Sequence, residues 1–301
     1  MPATSATSEI LSSKEIDASC RFPVFFFFVS AAIWFFISSL LALIVSIKLH
    51  SPNFLAGCEW LTYGRLRPAQ LDSLLYGFAA PAAFGVMLWL FCRLGRTRLV
   101  APHALLLAAK LWNVGVLVGT VGILIGDNTG FAWLEFPRYA SLILFLAYLL
   151  IGIVAVLTFH ARRQRSLFPS QWYLFAALFW FAWIYSAANL LLVFAPVRGV
   201  VQLCVNGWFT GNLLNVWLSL IGVGTIFYFV PKLTHRPLHS YYLALGAFWG
   251  IALLGGWGNI NISAPLPSWI PALSNIAAVM MILPVVCVAL NLCGTLGENA
   301  V

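Results

Sequence analysis

Residues 62–91 read TYGRLRPAQLDSLLYGFAAPAAFGVMLWLF. Two arginines and a proline, Arg65, Arg67 and Pro68, run straight into an apolar segment over residues 69–91. That segment is long enough to cross a bilayer as a helix, which takes about 20 residues. Seven further runs of similar character lie at residues 23–49, 104–126, 137–160, 171–195, 206–230, 241–262 and 270–293. Backbone groups in lipid must find their hydrogen bonds within the chain, so such runs are helices. The expected fold is all-α: a polytopic integral membrane protein of about eight transmembrane helices. Residues 1–22 read as a polar tail, 23–297 as the membrane domain and 298–301 as a short C-terminal tail.

The composition excludes a water-soluble domain. Of 301 residues, 62% are hydrophobic and 8% charged, against roughly 25% charged in soluble proteins. The net charge of +8 does not read as nucleic-acid binding, because the basic residues sit in short loops where they orient helices. With the N-terminus inside, one side holds Lys14, Arg21, Arg93, Arg96, Arg98, Lys110, Arg162, Arg163, Arg165, Lys232 and Arg236. The other holds Lys48, Arg65, Arg67, Arg138 and Arg198. This bias makes both termini cytoplasmic. The polar start is followed by an apolar run too long for a cleavable signal peptide. The longest connection, about residues 50–68, leaves no room for a soluble domain. The six cysteines form no CxxC pair and read as small thiols; Cys58 and Cys204, in loops on one side, leave a disulfide open. Pro81 and Pro284 should kink their helices, and glycines 115, 119, 122 and 126 give one helix a small-residue face for close packing.

Chemistry inside a membrane is usually marked by ionisable residues within the spans. Here they are few. His50, His103, His160, His235 and His239 fall at helix ends or in loops, none in mid-span. His235 and His239 are four apart, but Pro237 interrupts the helical face they would share. Asp72, about one turn into its helix, reads as a carboxylate paired with Arg65 and Arg67; a proton or ion site is the sharper alternative. Glu135 and Arg138 suggest a similar pair, while Glu59, Asp127 and Glu298 read as solvated charges. The chain has no GxSxG, HExxH or P-loop, and its possible mid-span polar residues, Asn113, Asn189, Asn212, Asn215 and Asn291, are sparse. Taken alone, the residues argue for helix packing more than for catalysis.

Four stretches carry a resemblance. They are WLTYGRLRP (Trp60 to Pro68), LEFPRY (Leu134 to Tyr139), IFYFVPKLTHRPLHSYYLALGAFW (Ile226 to Trp249) and LPSW (Leu266 to Trp269). In this order and spacing they resemble the catalytic subunit I of cbb3-type cytochrome c oxidases, in the haem–copper oxidase superfamily. The resemblance covers about residues 23–297 and corresponds to the first eight of that family's twelve helices. It implies a fold built to hold a low-spin haem b, a high-spin haem b and copper, all through histidine.

Each ligand position can then be checked. The low-spin haem ligand, two residues after Gly-Arg-Leu-Arg-Pro, is Gln70 here. The first copper histidine, 21 residues before Lys232, is Gly211, followed by the family's asparagine as Asn212. The loop GWGNINISAPLPSW (Gly256 to Trp269) lacks the adjacent histidine pair, and the tyrosine of the copper site aligns with Gly255. The remaining haem ligands belong to a helix later than Val301. Arg65 and Arg67 match arginines beside the haem propionates, and Asp72 stands where the family commonly has asparagine.

The resemblance therefore implies a degenerate paralogue, a pseudoenzyme with no haem or copper of its own and not catalytic by itself. Its expected role is an accessory or scaffold subunit of a respiratory electron-transport complex in the bacterial inner membrane. The expected partners are other membrane subunits, c-type cytochrome subunits among them, and lipid. Trp112, Trp180, Trp183, Trp217 and Trp249 are candidates to fill the space the haems left. Two alternatives stay open: a subunit of an active oxidase whose metals sit on partner chains, and a transporter using the vacated haem cavity.

Overall fold

The computed structural model describes residues 12–260 and 265–297. The first eleven residues, residues 261–264 of the expected histidine loop, and the 298–301 tail with Glu298 lie outside the described residues. Eight apolar helices follow one another: α1 (Ser13–His50), α2 (Tyr63–Gly95), α3 (Pro102–Ile125), α4 (Arg138–His160), α5 (Pro169–Phe194), α6 (Val200–Thr234), α7 (Tyr241–Leu254) and α8 (Trp269–Leu296). Among the described residues there is no strand. Seven of the eight are long and apolar enough to cross a membrane. The exception is α7, whose 14 residues span about 21 Å at 1.5 Å per residue. Its apolar run was expected to continue to residue 262. The helix stops at Leu254 because Gly255 and Gly256 turn the chain against α6.

The first helix reaches back into the stretch expected as a tail. Ser12 caps it in a reciprocal box: the Glu15 backbone N–H donates to Ser12 Oγ (3.3 Å), and the Ser12 backbone N–H donates to Glu15 Oε2 (2.9 Å). Two donors at the helix start are satisfied this way. One turn on, Arg93 of α2 binds Asp17 of α1 at 2.7 Å, Trp89 Nε1 donates to the same carboxylate (3.2 Å), and the thiols of Cys20 and Cys92 meet. Cys58 and Cys204 are both free thiols.

The closest pairs are α3 with α4, α1 with α2, α5 with α6 and α7 with α8. Lipid offers helices no hydrophobic incentive to associate, so close backbone approach and interhelical hydrogen bonds must supply it. The glycine face of α3 does this. A Cβ on Gly115 would stand 2.8 Å from the Leu144 side chain, one on Gly119 2.5 Å from Phe136, and one on Gly122 2.5 Å from Pro137.

Among the described residues three segments widen to π-helix: Ser73–Ala79 within α2, Asn189–Phe194 at the end of α5 and Asn212–Trp217 within α6. The first precedes Pro81, which lacks the N–H for a regular helical bond and whose ring crowds the preceding turn. In α8 the expected disturbance at Pro284 is a break at Met281, between Trp269–Met280 and Ile282–Leu296.

Candidate functional site

The N-terminal half of α2 carries the residues that the sequence singled out, and its first turns fix where they point. Arg65 Nη1 donates to two backbone carbonyls, Glu59 O (3.0 Å) and Leu124 O (3.3 Å). The second is one of the last carbonyls of α3, which the helix itself leaves unpaired. The guanidinium comes so close to Gly126 that a Cβ there would lie 2.9 Å from Nη2. Arg67 Nη1 donates to Gln70 Oε1 (3.4 Å), and Gln70 is buried.

Asp72 does not pair with these arginines. It is fully buried and, among the described residues, ion-paired to no basic group; the donors its carboxyl meets are the backbone N–H groups of Glu135 and Phe136. What it faces is the side chain of Glu135, 63 positions along the chain. The reason is helical geometry. Arg67, five residues earlier, lies about 140° around the helix, and Arg65, seven earlier, lies about 10 Å along it. Glu135 likewise has no ion pair with Arg138, which is exposed.

The loop ahead of α4 places Glu135 there. Thr129 Oγ1 donates to Leu134 O (2.7 Å) and the Thr129 backbone N–H to Glu135 O (3.2 Å). From α2, Tyr76 Oη donates to Trp133 O (2.6 Å); from α6, Asn206 Nδ2 donates to Ala132 O (3.1 Å). Phe136 packs on Tyr76 with ring centroids 5.2 Å apart. Burial pushes the Glu135 carboxyl above the usual carboxylate range.

Beyond this pair the interior is filled with rings. Trp112 is fully buried and donates Nε1–H to Tyr76 O (2.8 Å), a carbonyl within the first π-segment. It meets Phe84 edge-on at 5.0 Å, and Phe181 packs on Tyr148 at 4.7 Å, Trp217 at 4.8 Å and Tyr185 at 5.2 Å. Of the five tryptophans proposed as filling, Trp112 and Trp217 do so and Trp180 borders the interior through Asn212. Trp183 and Trp249 are exposed on the bundle's outer surface.

Gly211, expected at a copper-ligand position, and Gly255, expected at the tyrosine position, lie in backbone contact. A Cβ on Gly211 would sit 3.1 Å from Gly256 O and 3.2 Å from Asn259 Cβ, and one on Gly255 would sit 2.8 Å from Ile251 O and Val216 Cγ2. Asn212 stitches the contact: its Nδ2 donates to Trp208 O (2.8 Å) and its Oδ1 accepts from Trp180 Nε1 (3.0 Å). Asn215 Nδ2 donates to Gly255 O (3.2 Å). An imidazole at position 211 has no room unless this contact opens. Gln70 offers iron a poor ligand, and all five histidines are exposed. Among the described residues no group of three or more His, Cys, Asp or Glu side chains could hold a metal ion. The residues present do not fit a haem iron or a copper ion at the positions the resemblance marks.

Comparison with known proteins bears directly on the fold. The family model for cytochrome c and quinol oxidase polypeptide I matches residues 23–301. The cbb3-type cytochrome c oxidase subunit CcoN1 of Stutzerimonas stutzeri is 22% identical over 267 residues, covering 86% of this chain and 56% of that protein. The cytochrome c oxidase subunit 1 homolog of Azorhizobium caulinodans is 23% identical over 265 residues, covering 84% and 48%. A bacteroid homolog from Bradyrhizobium diazoefficiens is 23% identical over 273 residues, covering 87% and 50%. The chain thus spans about half the length of these relatives. A multi-pass bacterial membrane protein with these helices in this order belongs to the cytochrome c and quinol oxidase subunit I family.

Proposed function

We propose that this chain is a non-catalytic accessory or scaffold subunit of a respiratory oxidase complex, without haem or copper of its own. The observation that carries the reading is the backbone contact of Gly211, at the position the resemblance gives to a copper ligand, with Gly255, at the position it gives to the tyrosine, and with Gly256. Gln70 in place of the low-spin haem ligand and the ring-filled interior support it. Subunit I relatives belong to oxidases, so the partners are other membrane subunits of such a complex, c-type cytochrome subunits included. The charge bias puts both termini in the cytoplasm. The test is gentle purification of the tagged chain from its native membrane, with identification of what accompanies it. The reading expects oxidase or cytochrome subunits in fixed stoichiometry. A chain that purifies alone under conditions that keep a known oxidase intact contradicts it.

A further inference from the structure

A groove of about 430 Å³ runs between the start of α1 and the last turns of α2. It contains none of the positions that the resemblance gives to metal ligands. One face of α1 builds its longer wall. Lys14, Ala18, Arg21, Phe25 and Phe28 recur at intervals of four and three residues, which keeps them within about 80° of one another around the axis. Over roughly 21 Å along that axis the face passes from cations to rings. Trp89 of α2, half-buried, forms the opposite wall; an indole suits the boundary between water and lipid. Phe28 closes the inner end, packed so near α2 that a Cβ on Gly85 would lie 3.2 Å from its Cζ.

The charge in this groove is one-sided. Its one carboxylate is already used, because Asp17 binds Arg93 at 2.7 Å and accepts from Trp89 Nε1 at 3.2 Å. Glu15, nearby on α1, is held by Ser12 and Arg98. Lys14 and Arg21 are exposed, and among the described residues neither side chain has an ion pair or a hydrogen bond. The groove therefore offers two uncompensated cations at its wet end and an apolar trough at the other. A small soluble anion would answer the cations and leave the trough unfilled. An apolar segment would fill the trough and leave the cations unanswered.

We infer that this groove binds an anionic phospholipid of the adjoining leaflet, with its phosphodiester at Arg21 and Lys14 and an acyl chain along Phe25 and Phe28. Arg21 is the cation nearer the rings, one turn from Phe25, and a guanidinium presents paired donors to a phosphate. Lys14, two turns further out, adds a point charge. Basic pockets beside membrane helices select acidic headgroups through such charges. Burial of the chain adds affinity that every phospholipid shares. Selectivity thus comes from the cations and retention from the trough.

The test is native mass spectrometry of the full chain in detergent, titrated with phosphatidylglycerol or with phosphatidylcholine of the same acyl chains. We expect the wild type to retain phosphatidylglycerol in preference to phosphatidylcholine. Lys14→Gln/Arg21→Gln should weaken phosphatidylglycerol by roughly 30-fold, a factor of about five for each cation, and leave phosphatidylcholine unchanged. Ala18→Trp keeps every charge but fills the groove, and should weaken both lipids. Lys110→Gln/Arg165→Gln removes the same charge from exposed residues elsewhere and should change neither. Equal retention of the two lipids by the wild type overturns the inference. So does a loss in the Lys110/Arg165 variant as large as in the groove variant, since general surface charge then explains the preference. Inorganic phosphate that displaces phosphatidylglycerol at equal concentration would assign the cations to a soluble anion instead. A photoreactive side chain placed at Ala18 that captures protein rather than lipid in the native membrane would likewise refute a lipid occupant. The substituted residues are all exposed; should a variant still fail to fold, the wild type's choice between the two lipids and phosphate decides.

Discussion

Putting the histidine back at position 211 should damage the protein and restore nothing. The Cβ alone would come within 3.1 Å of Gly256 O and 3.2 Å of Asn259 Cβ. The imidazole beyond it has to push the 255–260 turn off α6. Forced overpacking of this kind costs about 1–3 kcal/mol. Lifting Gly255 also breaks the bond from Asn215 Nδ2, worth about 1 kcal/mol. The sum is roughly 2–4 kcal/mol, which for a chain of this size lowers the unfolding midpoint by roughly 3–6 °C. The assay is thermal unfolding in detergent or lipid, with two alanine variants on the same helix as controls. Gly211→Ala should lose stability, while Gly222→Ala, with no atom within 4 Å of its Cβ, should gain about 0.5–1 kcal/mol from reduced backbone freedom in the unfolded chain. A Gly211→His protein as stable as the wild type refutes the argument, because the space said to be closed is then open.

Three further outcomes follow from the packing. Gly119→Ala should lower stability by about 1–3 kcal/mol, because its Cβ would press to 2.5 Å from the buried Phe136 ring; unchanged thermal unfolding would show that the α3–α4 approach is looser than described. Trp112→Phe keeps most of the ring contacts but removes the donor to Tyr76 O, so it should cost about 1–2 kcal/mol, with Trp112→Ala costing about 3–5 kcal/mol. A Trp112→Phe variant as stable as the wild type would assign that hydrogen bond no separate part. Mild oxidation of the folded chain should cross-link Cys20 to Cys92, which meet between α1 and α2. Peptide mapping after such oxidation that recovers Cys58–Cys204 instead would contradict the arrangement of the helices.

The number and order of the helices could be read from the sequence, because each apolar run is long enough to force an internally bonded helix. The glycine face of α3 was equally legible, since its spacing of three to four residues keeps it on one side. The peripheral placement of the histidines followed from their positions at the ends of the runs. The partner of Asp72 was not legible. Reasoning from sequence neighbours favoured Arg65 and Arg67, whereas helical rotation turns the acid towards a loop 63 positions away, a contact with no local signature. The roles of Tyr76 and Tyr185 were missed for the same reason, as each joins helices distant in sequence. The early end of α7 depended on how closely Gly255 and Gly256 approach α6, which composition does not encode. The π-segments arise in part from proline, as before Pro81, but their lengths are a result of packing.

The most direct test of the central claim is the haem and copper content of the chain itself, after partner subunits have been stripped from it. The account predicts no Soret band and no copper in stoichiometric amount, with the chain still folded. One haem or one copper per chain, retained through that separation, would contradict it and make the substituted positions Gln70, Gly211 and Gly255 irrelevant to where the cofactors bind.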